Sequence, residues 1–405
     1  MPTTASSSRV QLSYIKEANF GVTPVAGNGT KLRATGESLT FDINKDTSKE
    51  IRDDRQVSGM VPISAQASGG VPFHMQYKEY DPFIEAALQS TFAAYGTAGV
   101  GATFTAAMAA GTITASAAPT GNSAFTTLQR GQWFRFVTAG TPSDPNNGKL
   151  FRVSSTVSPT ATVITLDPST PATVAASLTN SVLQTSRLTN GVTQPSFTLE
   201  KAFADIVQFL TYRGQTVSKL SLQFASESLT NGTLDFMGKD AISAATTALP
   251  GALVASQTFD VHNAATGVGQ IWEGGAPITA TFIKSLNLDV DNSLRAKTAI
   301  GTLGSVDIGS GSFNVTGSFE AYFASGALYQ KFLQNASTML SWSSQDAAGN
   351  GYVFTLPNVN LGKATIVAGG MDQDVMVQVD FTAIADLTNA TPALQKTLFI
   401  DRVGV

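Results

Sequence analysis

The sequence predicts a mainly β protein made of two copies of one module, with a further β unit inserted into the first copy. Three observations lead to this fold class. Charged residues make up only 13% of the 405 residues, and Phe (24) outnumbers Tyr (8) and Trp (3) combined, as is typical of turn-rich β proteins. Several phrases recur in the same order in both halves, and the stretch between the first two copies differs in character.

The first recurring phrase predicts a strand. SLTFDIN, residues 38–44, is similar to SLNLDVD, residues 285–291. In both phrases the apolar side chains alternate, as they do in a strand that is buried on one face.

The second phrase predicts a strand that leads into a short helix. YKEYDPFIEAALQ, residues 77–89, is similar to YFASGALYQKFLQ, residues 322–334. Asp81 and Ser325 suit the N-cap, and Pro82 suits the first turn, where no N–H is needed. One helical face recurs as Phe83, Ile84, Ala87 and Leu88 in the first copy and as Leu328, Tyr329, Phe332 and Leu333 in the second. Around Phe73 and Phe319 the strand alternation slips by one residue, which leaves a bulge or a chance match open.

The third phrase predicts a hairpin. Residues 212–236 close on Asp235-Phe236, and residues 352–381 close on Asp380-Phe381. VSKLSLQF in the first copy and VMVQVDF in the second have the alternation of paired strands. Three phrases in one order favour a duplicated module.

The insert is expected at residues 96–194, which are rich in Ala, Thr, Ser and Gly and carry no charge before Arg130. GQWFRFVTAG and GKLFRVSST flank a turn-rich connector and predict strands of a small β-barrel or immunoglobulin-like unit. Its expected core is Trp133, Phe136, Leu150, Phe151, Ile164 and Leu166. The first module is then 1–95 with 195–245, a linker covers 246–275, and the second module is 276–405.

Composition argues against several classes of protein. A net charge of −4 argues against sequence-independent nucleic-acid binding, and the absence of Cys excludes disulfides and thiolate metal sites. The amino terminus, MPTTASSSRVQ, lacks the apolar core of a signal peptide, and no apolar run reaches the length of a membrane span. We therefore expect the chain to be synthesised as a soluble cytoplasmic polypeptide. We also expect much of its charge-poor surface to be buried by self-association.

The sequence predicts no catalytic, cofactor or metal site. The two histidines, His74 and His262, stand alone, and no nucleophile elbow, phosphate loop or dinucleotide fingerprint occurs. DVDNS at Asp289 resembles a calcium loop but has Leu294 and Ile300 where Gly and Glu are required.

Two sets of charged residues are candidates for assembly. The first lies in DINKDTSKEIRDDRQ and its counterpart DNSLRAKTAIGTLGS, where either a solvated loop or a loop docked on a neighbouring subunit fits. Its candidate contact residues are Lys45, Asp46, Lys49, Glu50, Arg52, Asp53, Asp54, Arg55, Arg295 and Lys297. The second set is acidic and suits either outward-facing strand positions or the lining of a channel for a polyanion. It comprises Asp289, Glu320, Asp372, Asp374 and Asp380.

Six segments of the two modules are similar to those of a known family. They are ANFGVTPVAGNGTKLRATGESLTF, EIRDDRQVSG, EYDPFIEAAL, DFMGKD, IGTLGSVDIGSGSFNVTGSFEAYF and AGGMDQDVMVQVDF. Together they resemble the major tail tube proteins of long-tailed, non-contractile bacteriophages. They cover both modules, roughly three quarters of the chain, and leave out the insert.

The resemblance implies a β-sandwich with one flanking helix per module, and sheets that join through neighbours into an inner barrel. Rings would stack into a tube that conducts viral DNA without binding it specifically, with the loops at 44–59 and 291–304 reaching the adjacent ring. Single-module members resemble sixfold rings, so a two-module chain implies a trimer with pseudo-sixfold symmetry. The implied partners are other copies of the chain, the tape measure protein, the tail terminator and the distal tail protein, all in the virion and without a membrane. The insert would decorate the exterior.

Two alternatives remain from the residues alone. A surface adhesin or carbohydrate-binding β protein would use the Ser/Thr-rich insert to bind. A hydrolase with its site at the module junction would need a converging acid–base pair, for which the sequence offers no motif.

Overall fold

The computed structural model describes residues 4–95, 102–264, 267–278, 282–323, 326, 330–331, 333–368 and 370–404. Strands account for most of the regular structure in these residues, which confirms the prediction of a mainly β protein. None of the helices within this part of the chain has the length and apolar character needed to cross a membrane.

The first half contains a long helix-flanked sheet and the insert. Its elements are β1 (Val10–Lys16), β2 (Thr30–Leu32), β3 (Thr40–Thr47), β4 (Met60–His74), α1 (Asp81–Leu88), β5 (Ala93–Ala94), β6 (Phe104–Ala109), β7 (Thr112–Ala115), β8 (Trp133–Thr138), β9 (Leu150–Arg152), β10 (Val163–Thr165), β11 (Ala175–Gln184), β12 (Ser186–Thr189), β13 (Phe197–Phe203), β14 (Gln208–Ala225), β15 (Asn231–Gly238) and β16 (Asp240–Ala244). The second half continues the same sheet. Its elements are β17 (Val268–Glu273), β18 (Ala276–Pro277), β19 (Ile283–Asp291), β20 (Arg295–Lys297), β21 (Asp307–Gly309), β22 (Asn314–Tyr322), β23 (Thr338–Gln345), β24 (Gly351–Val367), β25 (Met376–Ala383) and β26 (Phe399–Val403).

The two halves share one pattern of strand pairing. The first half pairs β1–β2, β1–β13, β13–β14, β14–β15, β14–β16, β4–β15 and β3–β4. The second pairs β17–β18, β17–β23, β23–β24, β24–β25, β24–β26, β22–β25 and β19–β22 in the same order. Residues 246–275, expected to be a linker, therefore contain β17, which takes the position of β1.

Cross-strand pairs fix which residues correspond. Lys219 stands opposite Asp235, just past a register shift in β14, and Lys363 stands opposite Asp380, just past the matching shift in β24. Positions in β24 therefore carry the numbers of β14 plus 144. A bulge repeated at the same place favours duplication because bulges rarely recur by chance in one register.

The strand pairing aligns β3 with β19 differently from the match between residues 38–44 and 285–291 in the sequence. Thr40 pairs with Ser68, and Asp289 pairs with Thr316, so Thr40 corresponds to Asp289 rather than to Asn287. The two-residue difference keeps every side chain on its predicted face, since strand alternation has a period of two.

Helix α1 covers one face of the sheet. Its predicted apolar set is buried, and the Phe83 ring contacts those of Tyr14, Phe197 and Phe236. Asp81 is the first helical residue and not the N-cap, because its carboxylate accepts a hydrogen bond from Tyr352 and pairs with Arg402 instead. Of the second predicted helix, Ser325, Leu328, Tyr329 and Phe332 lie outside the described residues.

The insert has a sheet of its own, in the order β10-β7-β6-β11-β8-β9. A single bridge between Val153 and Leu166 joins its two outer strands, so the sheet curls back on itself without a continuous ladder. Its core includes Phe136, Phe151 and Ile164. Two residues predicted for this core, Trp133 and Leu150, lie elsewhere: they pack against the second half of the chain, as described below.

Candidate assembly interface

The two halves of the main sheet meet at β14 and β19. These strands pair antiparallel from Lys219–Asp291 to Ala225–Ser285, which joins the order β3-β4-β15-β14 to β19-β22-β25-β24. On the polar face of this junction, the Asp289 carboxylate of β19 contacts two side chains of β14. The Lys219 Nζ lies 3.0 Å away and the Ser221 Oγ 2.6 Å away. One open edge of this eight-stranded run is β3, and the other is the second part of β24.

The open edges carry exposed apolar side chains, whereas the corresponding side chains at the internal β14–β19 junction are buried. Leu222 of β14 is 2% exposed, whereas Ile366, its counterpart in β24, is 38% exposed. On the opposite edge, Phe41 is only partly buried and Ile43 is exposed. Edges of this kind are usually paired or protected, so these two are the clearest candidates for pairing with another copy.

The eight-stranded run has an apolar face that packs into the core, and its opposite face is polar and contains a groove. A groove of about 650 Å³ crosses it, lined mainly by Ser, Thr, Asn and Asp side chains of β14, β15, β19, β22 and β25. Three of the five acidic candidates, Asp289, Glu320 and Asp380, lie on strands at this face. Asp372 and Asp374 lie instead in the exposed turn between β24 and β25. Burial raises the pKa of the Asp235 carboxyl, while Lys219 opposes this rise and Asp289 adds to it.

The charged loop forms the tip of the hairpin β3–β4. All eight of its candidate residues are exposed, and Arg52 pairs with Asp54 at 2.7 Å. The apolar side chains of the same hairpin, which the sequence analysis missed, are exposed as well. They are Ile51, Val57, Met60, Val61 and Ile63.

The corresponding loop of the second half behaves differently. Arg295 and Lys297 lie on β20, which pairs with β21, and Lys297 forms an ion pair with Asp307 at 2.6 Å. The Leu303 carbonyl in this loop accepts a hydrogen bond from the Ala65 N–H at 2.8 Å. This loop is thus laid against β4 of the same chain, whereas the tip of β3–β4 projects.

The insert is fixed to the body through buried polar contacts. Arg187 on β12 donates to both carboxylate oxygens of Asp401 on β26 at 2.7 Å, and the pair is almost completely buried. The Trp133 N–H donates to the same carboxylate at 3.0 Å, and its ring lies 4.4 Å from that of Trp272. The sequence gives no signal for this pairing, because 214 positions separate Arg187 from Asp401.

Three buried glutamates tie distant segments together and were also missed. Glu17 accepts hydrogen bonds from Gly21 N, Gly214 N, Ser196 Oγ and Thr198 Oγ1. Glu79 accepts from the backbone N–H groups of Arg33 and Gln257, and Glu200 accepts from the Ala248 N–H and from two threonine hydroxyls. Carboxylates that accept several such hydrogen bonds hold the donating loops in place.

The two histidines contact different residues and do not contact each other. His74 Nδ1 lies 2.8 Å from Asn231 Oδ1, and His262 Nδ1 lies 3.0 Å from Ser344 Oγ. Within the described ranges no group of three or more His, Asp or Glu is arranged to hold a metal ion.

His262 makes stability depend on pH. It is fully buried between the halves, and burial lowers its pKa from 6.5 to about 4, with Asp346 partly opposing the shift. Between these two pH values the unfolded chain binds more protons, so the free energy of unfolding should fall on acidification, by about 3 kcal/mol at most. Urea unfolding at several pH values checks this: His262→Gln should flatten the dependence of the free energy of unfolding on pH, and an unchanged dependence would contradict the assignment to His262.

Comparison with protein families agrees with this geometry. The model of the family described as phage tail tube protein matches residues 7–383, which span both halves and the insert. No curated protein matches the chain. Because the match covers far more than half of the sequence, the chain belongs to the phage tail tube protein family.

Proposed function

We propose that this protein is the structural subunit of a long-tailed, non-contractile phage tail tube, in which three copies close into a pseudo-sixfold ring. The observation that carries the proposal is the pairing of β14 with β19. It joins two equivalent four-stranded units inside one chain. The open edges at the two ends of the run are β24, which corresponds to β14, and β3, which corresponds to β19. A third module can therefore be added by repeating a contact that the chain already makes.

The internal junction predicts the register between copies. Lys219 faces Asp291 and Leu220 faces Val290 within the chain. Moving each strand to its counterpart places Lys363 opposite Asp42 of the next copy and Ala364 opposite Phe41. Both pairs fit, because the first joins opposite charges and the second covers apolar surface beside the core.

The polar face would line the bore. In the proposed ring the apolar face of the eight-stranded run packs against α1 and the rest of the core, so the opposite face, with the groove and Asp289, Glu320 and Asp380, would turn inward. Its excess of carboxylates repels phosphate, which suits DNA that passes through without specific binding. Glu320 and Asp289 each have a Lys nearby, which moderates the repulsion.

Membership of the family supports the remaining parts of the proposal without establishing them. The protein would be a virion component without enzymatic activity, made in the host cytoplasm, and would meet the tape measure, tail terminator and distal tail proteins. Module one would comprise 1–95 with 195–245, and module two would start at β17 rather than at residue 276. The insert would stand on the exterior, and its aromatic side chains are buried, which leaves the carbohydrate-binding alternative without an exposed aromatic platform among the described residues.

Electron microscopy of the purified protein tests the proposal. We expect rings with an open bore, three copies per ring, and an external projection on every second of six sectors. Six copies per ring, or monomers at concentrations at which other tube proteins polymerise, would contradict the trimeric ring.

A further inference from the structure

The dipeptide Asn-Gly, at which an asparagine side chain is most readily lost, occurs five times in this chain. The asparagines are Asn28, Asn147, Asn190, Asn231 and Asn350. In this reaction the backbone nitrogen of the glycine attacks the side-chain carbonyl carbon of the asparagine, and glycine has no side chain to hinder the approach. The fold decides which of the five pairs can react, because the attacking nitrogen and the amide must both be free to move.

At two of the pairs the attacking nitrogen is already hydrogen-bonded. The Gly148 N–H donates to the Phe136 carbonyl at 2.8 Å, and the Gly191 N–H donates to the Leu88 carbonyl at the same distance. The asparagines of these pairs are held as well, because each side-chain oxygen accepts a backbone N–H. Both groups would have to leave their partners before they could react, so the fold protects these two pairs.

Two further pairs lie in paired strands. Asn231 begins β15, which is paired on both sides, and its Oδ1 lies 2.8 Å from the His74 Nδ1. Asn350 is only 6% exposed, and its Nδ2 donates to the Asp346 carboxylate at 3.1 Å just before β24 begins. A paired strand fixes the backbone in the extended conformation, which keeps the side chain away from the next nitrogen. These two pairs are therefore protected too.

The fifth pair lies in the exposed loop between β1 and β2. Residues 25–28 are all exposed, glycines flank Asn28 on both sides, and Gly27 has a φ of +105°. Among the residues that the structure describes, none hydrogen-bonds the Asn28 amide or accepts the Gly29 N–H. Both reacting groups are thus available at Asn28.

Packing favours glycine as the second residue of this pair. Gly29 is buried, and a Cβ there would lie 2.8 Å from the Leu253 Cδ2 and 2.9 Å from the Leu249 Cδ1. Both distances are well below a normal carbon–carbon contact, so both leucines would have to move. A larger residue at position 29, which would slow the attack, is therefore unfavourable in this fold.

We infer that Asn28 is a site of spontaneous deamidation. The Gly29 nitrogen loses its proton to solvent and bonds to the Asn28 Cγ. The Cγ–Nδ2 bond breaks, and the departing group takes up a proton and leaves as ammonia. Water then opens the five-membered imide at either of its carbonyls, which yields aspartate or isoaspartate. Both products add one negative charge, and isoaspartate also adds a methylene group to the main chain.

The added methylene group would disturb a contact between the first half and the segment that precedes β17. The Gly29 carbonyl accepts the Val254 N–H at 2.8 Å, and the Val254 carbonyl accepts the Lys31 N–H at 2.9 Å. Isoaspartate at position 28 would shift Gly29 relative to Val254 and weaken the first of these hydrogen bonds. Hydrogen exchange at the Val254 amide should then accelerate, because local opening becomes more frequent.

Peptide mapping by mass spectrometry tests the inference on protein aged in mildly alkaline buffer, where the attacking nitrogen loses its proton more readily. In the folded protein we expect Asn28 to deamidate at least tenfold faster than any of the other four asparagines. In urea the protection is lost, and the five rates should come within a few-fold of one another, since each asparagine precedes a glycine. A different fastest site in the folded protein, or the same tenfold preference in urea, would overturn the inference.

The matched control is Asn28→Gln, because glutamine would have to form a six-membered imide, which closes much more slowly. The side chain at position 28 is exposed, so the variant should fold normally. After ageing, the unmodified protein should show both the mass gain at residue 28 and faster exchange at the Val254 amide, and Asn28→Gln should show neither. Equal acceleration of exchange in both aged proteins would contradict the proposed effect of residue 28 on Val254.

Discussion

Replacing Asp401 by Ala is expected to lower the free energy of unfolding by about 3–5 kcal/mol. The reason is the partner that remains: Arg187 is 3% exposed and would keep its charge with no carboxylate beside it. The Trp133 N–H would lose its acceptor as well. The cost is that of an uncompensated buried charge, which exceeds the net contribution of the intact pair.

A surface ion pair provides the matched control. Lys297 and Asp307 lie 2.6 Å apart but are both about half exposed, so Lys297→Ala should change the free energy of unfolding by less than about 1 kcal/mol. Urea denaturation of both variants measures the difference. Equal effects of the two substitutions would show that Asp401 is not the point at which the insert is fixed.

The same contacts connect the insert to the second half of the chain. β12 pairs with β26, so the base of the insert extends the sheet of the second half. Removing the insert together with β12 would expose the edge of β26 and leave Asp401 without Arg187 and the Trp133 N–H. The insert is therefore structurally coupled to the half of the chain that does not contain it.

Much of the fold was predictable because the pattern of a strand is local. The alternation around Thr40 and Asp289 identified equivalent strands, yet it gave a register two residues off, since a shift of two keeps the apolar positions apolar. β17 was missed because VGQIWE is short and lies in an Ala-, Thr- and Gly-rich stretch. Its role becomes visible only through its partner β23.

The candidate interface was predictable only in part. The charges of residues 45–55 drew attention to the right loop, but its apolar members are scattered singly among polar neighbours and form a surface only once β3 and β4 pair. Of the acidic candidates, Asp289 is where alternation places it, whereas Asp372 lies in a turn that alternation does not describe.

Replacing Ile366 by Asp is expected to abolish ring formation and to leave the monomer folded. In one chain this side chain is 38% exposed, so a carboxylate there stays in contact with water and should cost no more than about 1 kcal/mol of stability. In the ring it would occupy the position that Leu222 has at the internal junction, which is 2% exposed. A buried, unpaired carboxylate costs several kcal/mol, and the ring contains one at each closure between copies.

Two controls make this result specific to the β24 edge. Val174→Asp changes an exposed apolar residue of the insert in the same way and should leave rings unaffected, whereas Leu222→Asp should destabilise the chain itself. Thermal melts separate folding from assembly, and negative-stain microscopy counts rings. Normal rings from Ile366→Asp would mean that copies do not close through this edge. Because the internal β14–β19 junction and the closure between copies are proposed to be one contact used twice, the paired outcomes of Leu222→Asp and Ile366→Asp test that identity directly: the same substitution should break the fold at one position and the ring at the other.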